Sequence, residues 1–442
     1  MCKTFDTILK GATLVNHDGR SQRDIGITNG RIAEIGDLTC ASSGEVINCT
    51  GLHILPGIID SQVHFREPGN EHKEDLESGS YSAVLGGVTT VFEMPNTHPL
   101  TVSEETLADK VKRGFHRMHC DFAFWVGGTR DNVHELAELE RLPGAAGIKV
   151  FMGSSTGDLL VDDDESVRLI LKNIRRRAAF HSEDEVRLKE RKILRIEGDA
   201  SSHPVWRDEV TALKCTQRLV KIAHETKARI HILHLSTAEE IDFLKNHKDV
   251  ATIEVTQHHL TLTADDYKQF GTLIQMNPPI REKHHREALW YGVQQGIIDV
   301  LGSDHAPHTF EEKLQPYPSS LSGMTGVQTT AALMLTHVNA GKISLERFVD
   351  LTSHGPSRIF GISCKGRLAV GYDADLTVID LEREEVITNA LIGSRAGWTP
   401  YDGKKVKGWP VGTIIRGKRV MWEGEIVTPS QGEPVKFIES FA

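Results

Sequence analysis

Eight short apolar runs, each followed by a stretch of helical periodicity, occupy the middle of this 442-residue chain and limit what it can fold into. They are Gly57-Ile58-Ile59-Asp60 onward, Val88-Thr89-Thr90-Val91-Phe92, Phe122-Ala123-Phe124-Trp125-Val126, Gly147-Ile148-Lys149-Val150-Phe151, Ala178-Ala179-Phe180, Ile230-His231-Ile232-Leu233, Ala251-Thr252-Ile253-Glu254-Val255, and Ile297 to Leu301. Such runs suit strands buried on both faces, as in a parallel sheet. The segments between them, such as Ser103 to Arg113 and Asp208 to Thr226, suit amphipathic helices. Eight β/α units over about 300 residues are the size of a (β/α)₈ barrel. A doubly wound open sheet is the second candidate. In either fold the carboxyl ends of the strands face the functional site.

The flanks differ in texture. Residues 7–56 alternate apolar and polar, as in Ile8-Leu9-Lys10-Gly11-Ala12-Thr13-Leu14-Val15, and Asn29-Gly30 between two such runs signals a hairpin. Asp375-Leu376-Thr377-Val378-Ile379 and the run Gly412 to Val420 share that texture. Isolated hairpins are barely stable in water, so we read both ends as one small β domain, with residues 1–56 and 366–442 flanking a barrel at 57–365.

A net charge of −10, with no basic run or basic amphipathic helix, argues against nucleic-acid or anionic-membrane partners and leaves small molecules as the expected ligands. Met1-Cys2-Lys3-Thr4-Phe5-Asp6 lacks the apolar core of a signal peptide, and a cytoplasmic location is expected. Six scattered cysteines without a C-x-x-C pair suit reduced thiols and exclude a cysteine zinc knuckle. Histidine is the anomaly: there are 22.

Several of them close the apolar runs. The first run ends in Gln62-Val63-His64-Phe65-Arg66, and residues 62, 64 and 66 are expected to point to one face of the strand because the side-chain period is two. The second ends in Glu93-Met94-Pro95-Asn96-Thr97, and the fourth carries Lys149 among apolar neighbours, where an unpaired ammonium is costly. The fifth ends at His181-Ser182-Glu183-Asp184, the sixth at His234-Leu235-Ser236-Thr237, and the seventh is followed by Asn277-Pro278-Pro279. The eighth gives Gly302-Ser303-Asp304-His305-Ala306-Pro307-His308. One histidine at a strand end is ordinarily a hydrogen-bonded core residue. Recurrence of His64, His181, His234 and Asp304 at successive ends points instead to a divalent metal such as zinc. A metal there lowers the pKa of bound water, a nearby Asp can take the proton, and the chemistry is hydrolysis of an amide or imide, or its reversal.

The motif Gly302 to His308 with Lys313 resembles the signature of the dihydroorotases of the amidohydrolase superfamily. The likeness runs through His64-Phe65-Arg66-Glu67-Pro68-Gly69, Met94-Pro95-Asn96-Thr97, His181-Ser182-Glu183-Asp184, His234-Leu235-Ser236-Thr237 and Asn277-Pro278-Pro279. It implies a metal-binding (β/α)₈ barrel with a composite β-sandwich domain from both termini. It also implies reversible cyclisation of N-carbamoyl-L-aspartate to L-dihydroorotate in pyrimidine synthesis. By the same resemblance His64, Lys149, His181, His234 and Asp304 hold one or two zinc ions, and Lys149 is carboxylated and bridges them. Asp304 is also the general base. Arg66 and Asn96 take the substrate carboxylate, and Asn277 and His308 the ring. A homodimer is the expected assembly, and aspartate transcarbamoylase is a candidate partner.

The sequence departs from the family at Gln62, where the first strand usually supplies a second histidine. An amide oxygen is a poorer zinc donor than imidazole, so the site using this strand should be the weaker. Ordinary readings stand beside the functional ones: Lys149 as an ammonium paired with a carboxylate, Arg66 paired with Glu67 or Glu71, Asn277 as a turn residue, His308 as a loop histidine. The segment Thr309 to Gly323, with Pro316 and Pro318, is a candidate mobile loop. Rival activities are a hydantoinase or dihydropyrimidinase, an allantoinase, and a silent homologue serving as a transcarbamoylase scaffold.

Overall fold

The computed structural model describes residues 3–154 and 159–439. Eight parallel strands follow one another in sheet order and in chain order: Ile58–Val63 (β1), Val88–Glu93 (β2), Asp121–Gly127 (β3), Ala145–Phe151 (β4), Ala178–His181 (β5), Ile230–Ile232 (β6), Ala251–Thr256 (β7) and Val300–Gly302 (β8). The ring closes where Val63 bridges His305, with the His64 amide donating to the His305 carbonyl at 2.7 Å. The seam therefore lies at the carboxyl-end rim. This is the barrel, and the open-sheet alternative is set aside.

Strand alternation sorts the side chains. Phe122, Phe124 and Val126 point outward into the core shared with the surrounding helices, whereas Ala123 and Trp125 fill the lumen with Ile59, Phe92, Ala146, Ala179 and Val300. Ile359, Phe360 and Phe437 pack into the same lumen cluster. On the same alternation Ile148 and Val150 face out and Lys149 in, and Ile253 and Val255 face out and Glu254 in. The helices begin where the sequence offers caps: Ser103 accepts from the Thr106 amide ahead of Glu104–Gly114, and Asp208 from the Thr211 amide ahead of Glu209–Thr226.

The eighth run is shorter as a strand than its apolar sequence suggests. The amides of Ile297 and Ile298 bond back to the Gly292 carbonyl at the end of the helix Lys283–Gln294, so the ladder starts only at Val300. On the first run, β1 stops at Val63 and Arg66 takes a φ of 65°, so the expected common face of residues 62, 64 and 66 does not exist.

The two ends of the chain form two packed sheets. Thr4–Lys10, Asp24–Thr28, Arg31–Gly36 and Ser42–Asn48 make one. His53–Pro56 and Thr13–Asn16 from the amino end join Leu376–Val386 and Lys405–Ile415 from the carboxyl end in the other. Leu9, Ile25, Ile27, Ile54, Val378 and Ile414 lie between them. Asn29-Gly30 is the two-residue turn expected, both residues at positive φ. The run Gly412 to Val420 is not one strand: it folds at Arg416-Gly417 into a hairpin with Lys418–Trp422. Among the described residues the five cysteines are free, and no helix is long and apolar enough to cross a membrane.

Candidate active site

The five expected metal donors collect at the carboxyl-end rim as two pairs and a lysine. His64 Nε2 stands 3.3 Å from Asp304 Oδ1, and His181 Nδ1 stands 3.0 Å from His234 Nε2. Lys149 Nζ, fully buried on β4, has no hydrogen-bond partner among the described residues and lies 4.3 Å from the centre of the Phe151 ring. Its charge is felt by both pairs, through Asp304 on one side and His181 and His234 on the other.

Outer contacts fix which ring nitrogens face inward. His64 Nδ1 lies 2.9 Å from Asn96 Oδ1 and donates to it, which leaves the Nε2 lone pair towards Asp304. His181 Nε2 lies 2.8 Å from Glu183 Oε2, and that carboxylate is gripped in turn by Arg207, so the His181 Nδ1 lone pair faces His234. Burial opposes ionisation of Glu183, but the Arg207 guanidinium and the His181 hydrogen bond outweigh it and hold the carboxyl well below its ordinary range. Burial lowers the pKa of His64, His181 and His234, keeping the imidazoles neutral. Burial also pushes Lys149 down to about 7, against the pull of Asp304 and Glu254, so a substantial share of the amine is uncharged near neutrality.

This donor set fits a divalent cation. Two imidazole nitrogens 3.0 Å apart require a proton or a cation between them. Nearby, His234 Nδ1, Lys149 Nζ and Gln62 Oε1 are all buried without hydrogen-bond partners among the described residues. Gln62 uses its other end, Nε2, to donate to Asp304 Oδ1 at 3.0 Å.

The substrate-side residues are placed differently. Arg66 Nε donates to the Pro307 carbonyl at 3.0 Å, and its Nη2 lies 3.4 Å from His308 Nε2. Glu67 is taken by Arg117 and Arg113, and Glu71 Oε1 accepts from the Gly69 amide, so neither forms the ion pair that was the plain alternative for Arg66. His308 is itself occupied: Nδ1 lies 3.2 Å from Lys73 Nζ, and Nε2 3.0 Å from the Ser322 carbonyl. Asn277 Oδ1 lies 2.9 Å from His203 Nε2 on the wall of a cavity of about 200 Å³ that Arg207, Tyr317 and Ser322 also line. The segment after His308 opens with the helix Phe310–Lys313 and is fastened by Lys313, whose buried ammonium donates to the carbonyls of Gln275 and Leu321.

Sequence reasoning passed over several of these groups. Glu183 sat inside a quoted motif without a role, and Arg207, His203 and Lys73 gave no spacing signal. Glu254 did give one, since a carboxylate inside an apolar run is as informative as Lys149. It is fully buried, accepts from Ser61 Oγ at 2.9 Å, and is pushed up to about 8 by burial.

A model of the amidohydrolase family matches residues 53–420. The chain is 34% identical to a dihydroorotase of Methanosarcina mazei, with 98% of each sequence covered. It is 31% identical to an allantoinase of Deinococcus radiodurans, covering 97% of this chain and 98% of the relative. Among solved structures, an L-hydantoinase (dihydropyrimidinase) of Arthrobacter aurescens superposes with a TM-score of 0.94 at 29% identity, covering 98% of this chain and 99% of that one. Barrel, rim and matched length agree, and this chain belongs to the amidohydrolase family as a full-length relative of dihydroorotases.

Proposed function

We propose that this protein is a dihydroorotase, hydrolysing L-dihydroorotate reversibly to N-carbamoyl-L-aspartate for pyrimidine synthesis. One observation carries the choice among cyclic amides. Arg66 is 5% exposed at the rim, and among the described residues no carboxylate lies within ion-pair distance of its guanidinium. A buried guanidinium that no carboxylate touches suits a substrate that brings its own carboxylate, which the rings of hydantoin and allantoin lack.

The roles follow from the contacts. Arg66 and the Asn96 amide receive the carboxylate, while Asn96 Oδ1 keeps His64 in its metal-facing tautomer. Asn277, held by His203, meets the ring from the far wall, and His308, its two ring nitrogens taken by Lys73 and the Ser322 carbonyl, lines the site beside Arg66. Asp304, with Oδ1 held by Gln62, takes a proton from the attacking water and returns it to the ring nitrogen as the amide C–N bond breaks. His64, Lys149, His181, His234 and Asp304 would hold zinc, which supplies Lewis acidity and a lowered pKa for water. Carboxylation of the neutral Lys149 amine by carbon dioxide, with loss of a proton, gives the anion that such a cation needs. We also propose the division 57–365 for the barrel and 1–56 with 366–442 for the β domain.

The test is turnover of L-dihydroorotate, hydantoin, dihydrouracil and allantoin by purified, metal-replete protein. L-dihydroorotate is expected to be the substrate. Hydrolysis of hydantoin or dihydrouracil without L-dihydroorotate would overturn the reading.

A further inference from the structure

At the opposite end of the barrel three side chains converge that the proposed reaction does not use. His224 occupies the last turn of the helix Glu209–Thr226, just before β6, and His247 and Asp249 occupy the short segment between the helix Ala238–Leu244 and β7. His224 Nε2 stands 3.2 Å from His247 Nδ1, and His224 Nδ1 stands 3.7 Å from Asp249 Oδ2. One ligating atom from each residue lies within 4.8 Å of those from the other two. These residues flank the amino ends of β6 and β7, whereas the catalytic donors sit at the carboxyl ends of the strands.

The backbone carrying the group is fixed before any ligand arrives, and the His224 and Asp249 side chains stand at the surface. The His247 amide donates to the Leu244 carbonyl at 3.0 Å, and the Val250 and Ala251 amides return to the His247 carbonyl at 3.3 and 2.9 Å, which fixes the turn carrying His247 and Asp249. The Phe243 ring packs 4.4 Å from the His247 ring, centre to centre. His224 belongs to an eighteen-residue helix. The nearest ammonium in sequence, Lys248, is turned away to the Ile297 carbonyl and Asp299, so it does not compete for Asp249.

We propose that His224, His247 and Asp249 form a second, non-catalytic site for a divalent transition ion of the zinc class. Two imidazoles and one carboxylate are a donor set for zinc, with water completing the shell, and they do not suit magnesium or calcium, which take oxygen ligands. Two nitrogens bound tetrahedrally to one zinc at about 2.0–2.1 Å lie about 3.3 Å apart. The 3.2 Å between the His224 and His247 nitrogens matches that spacing. In the free protein a hydrogen bond spans that gap; an ion takes its place, and the exposed Asp249 side chain, whose Oδ2 lies beside the other His224 ring nitrogen, turns to complete the set. Because it joins the ends of two consecutive β/α units, the bound ion stabilises the barrel by mass action rather than altering turnover.

The test uses protein whose catalytic site has been loaded with zinc and freed of excess metal. Zinc is then titrated calorimetrically into the parent, His247→Gln and Asp249→Asn. The parent should take up one more equivalent than His247→Gln, Asp249→Asn should bind that equivalent more weakly, and hydrolysis should be equal in all three. Added zinc should raise Tm in the parent and not in His247→Gln, and added magnesium should raise it in neither. Equal numbers of sites in parent and His247→Gln, or an equal rise of Tm with magnesium, would overturn the proposal.

Discussion

Replacing Glu183 by Gln probes the part of the site that lies behind the donors. Glu183 is fully buried and accepts from His181 Nε2 at 2.8 Å and from the Arg207 guanidinium on both oxygens, including Nε at 3.2 Å. Glutamine substitutes an NH₂ for one of those oxygens, setting donor against donor and leaving Arg207, 3% exposed, as an uncompensated charge. Breaking one partner of a buried pair costs about 3–5 kcal/mol. For 442 residues at about 2.1 cal/mol/K each, the unfolding entropy at the midpoint is about 0.9 kcal/mol/K, so Tm should fall by about 3–5 °C. Loss of the acceptor also frees the His181 tautomer, and outer-shell changes of this kind weaken metal binding about 10–100-fold. Calorimetry gives the first quantity, and competition with a chromophoric chelator gives the second. A Tm within about 1 °C of the parent together with unchanged metal affinity would refute the reasoning, because it would show that Glu183 neither compensates Arg207 nor orients His181.

Asp304→Asn should lower kcat by about 10² or more while the protein stays folded, as expected for loss of a general base, and near-normal turnover would remove Asp304 from that role. Gln62→His should retain more metal per chain than the parent during stepwise dialysis against chelator, read by elemental analysis, since imidazole is the better zinc donor; equal retention would show that Gln62 already completes the site. Asp208 caps the helix Glu209–Thr226 and pairs with Arg187. Burial raises its pKa, but these hydrogen bonds prevail and bring it down to about 2 from 3.8. A carboxyl depressed on folding adds stability above its ordinary pKa and loses it as pH falls towards the folded value, so Asp208→Asn should flatten the Tm profile between pH 4 and 2, and an unchanged acid limb would contradict this.

Much of this architecture was legible because it depends on patterns local to a strand. Apolar runs and their spacing gave the barrel, Asn29-Gly30 gave a turn, and the ends of four runs with the one charge inside the fourth gave His64, His181, His234, Asp304 and Lys149 as candidate donors, since in a parallel barrel the strand ends meet whatever the loops do. What escaped depends on contacts between distant segments. Nothing near Glu183 in sequence announces that Arg207 will cover it, and Lys73 meets His308 only because the rim closes between β1 and β8. Ile297 and Ile298 were read as strand because apolar character marks burial, not pairing, and their amides went to a helix end instead.

The period-two rule failed at Arg66 for a reason that recurs around the rim. Arg66, His234 and Asp304 all have positive φ, at 65°, 38° and 46°. Asn29 and Arg416 share that conformation in tight hairpins, and Lys227 in a helix cap, where it is ordinary. The three rim residues instead stand where a barrel strand gives way to its loop. Glycine would hold this backbone without strain, and a non-glycine residue costs on the order of 1–2 kcal/mol there. Arginine, histidine and aspartate persist because each of these side chains does what glycine cannot: Arg66 reaches Pro307 and His308, His234 meets His181, and Asp304 meets His64 and Gln62. A strand that simply ran on would send alternate side chains to opposite faces. The left-handed step turns the chain out of the sheet at each of these three positions, which is why strand periodicity misplaced Arg66 while the strand-end pattern still found His234 and Asp304.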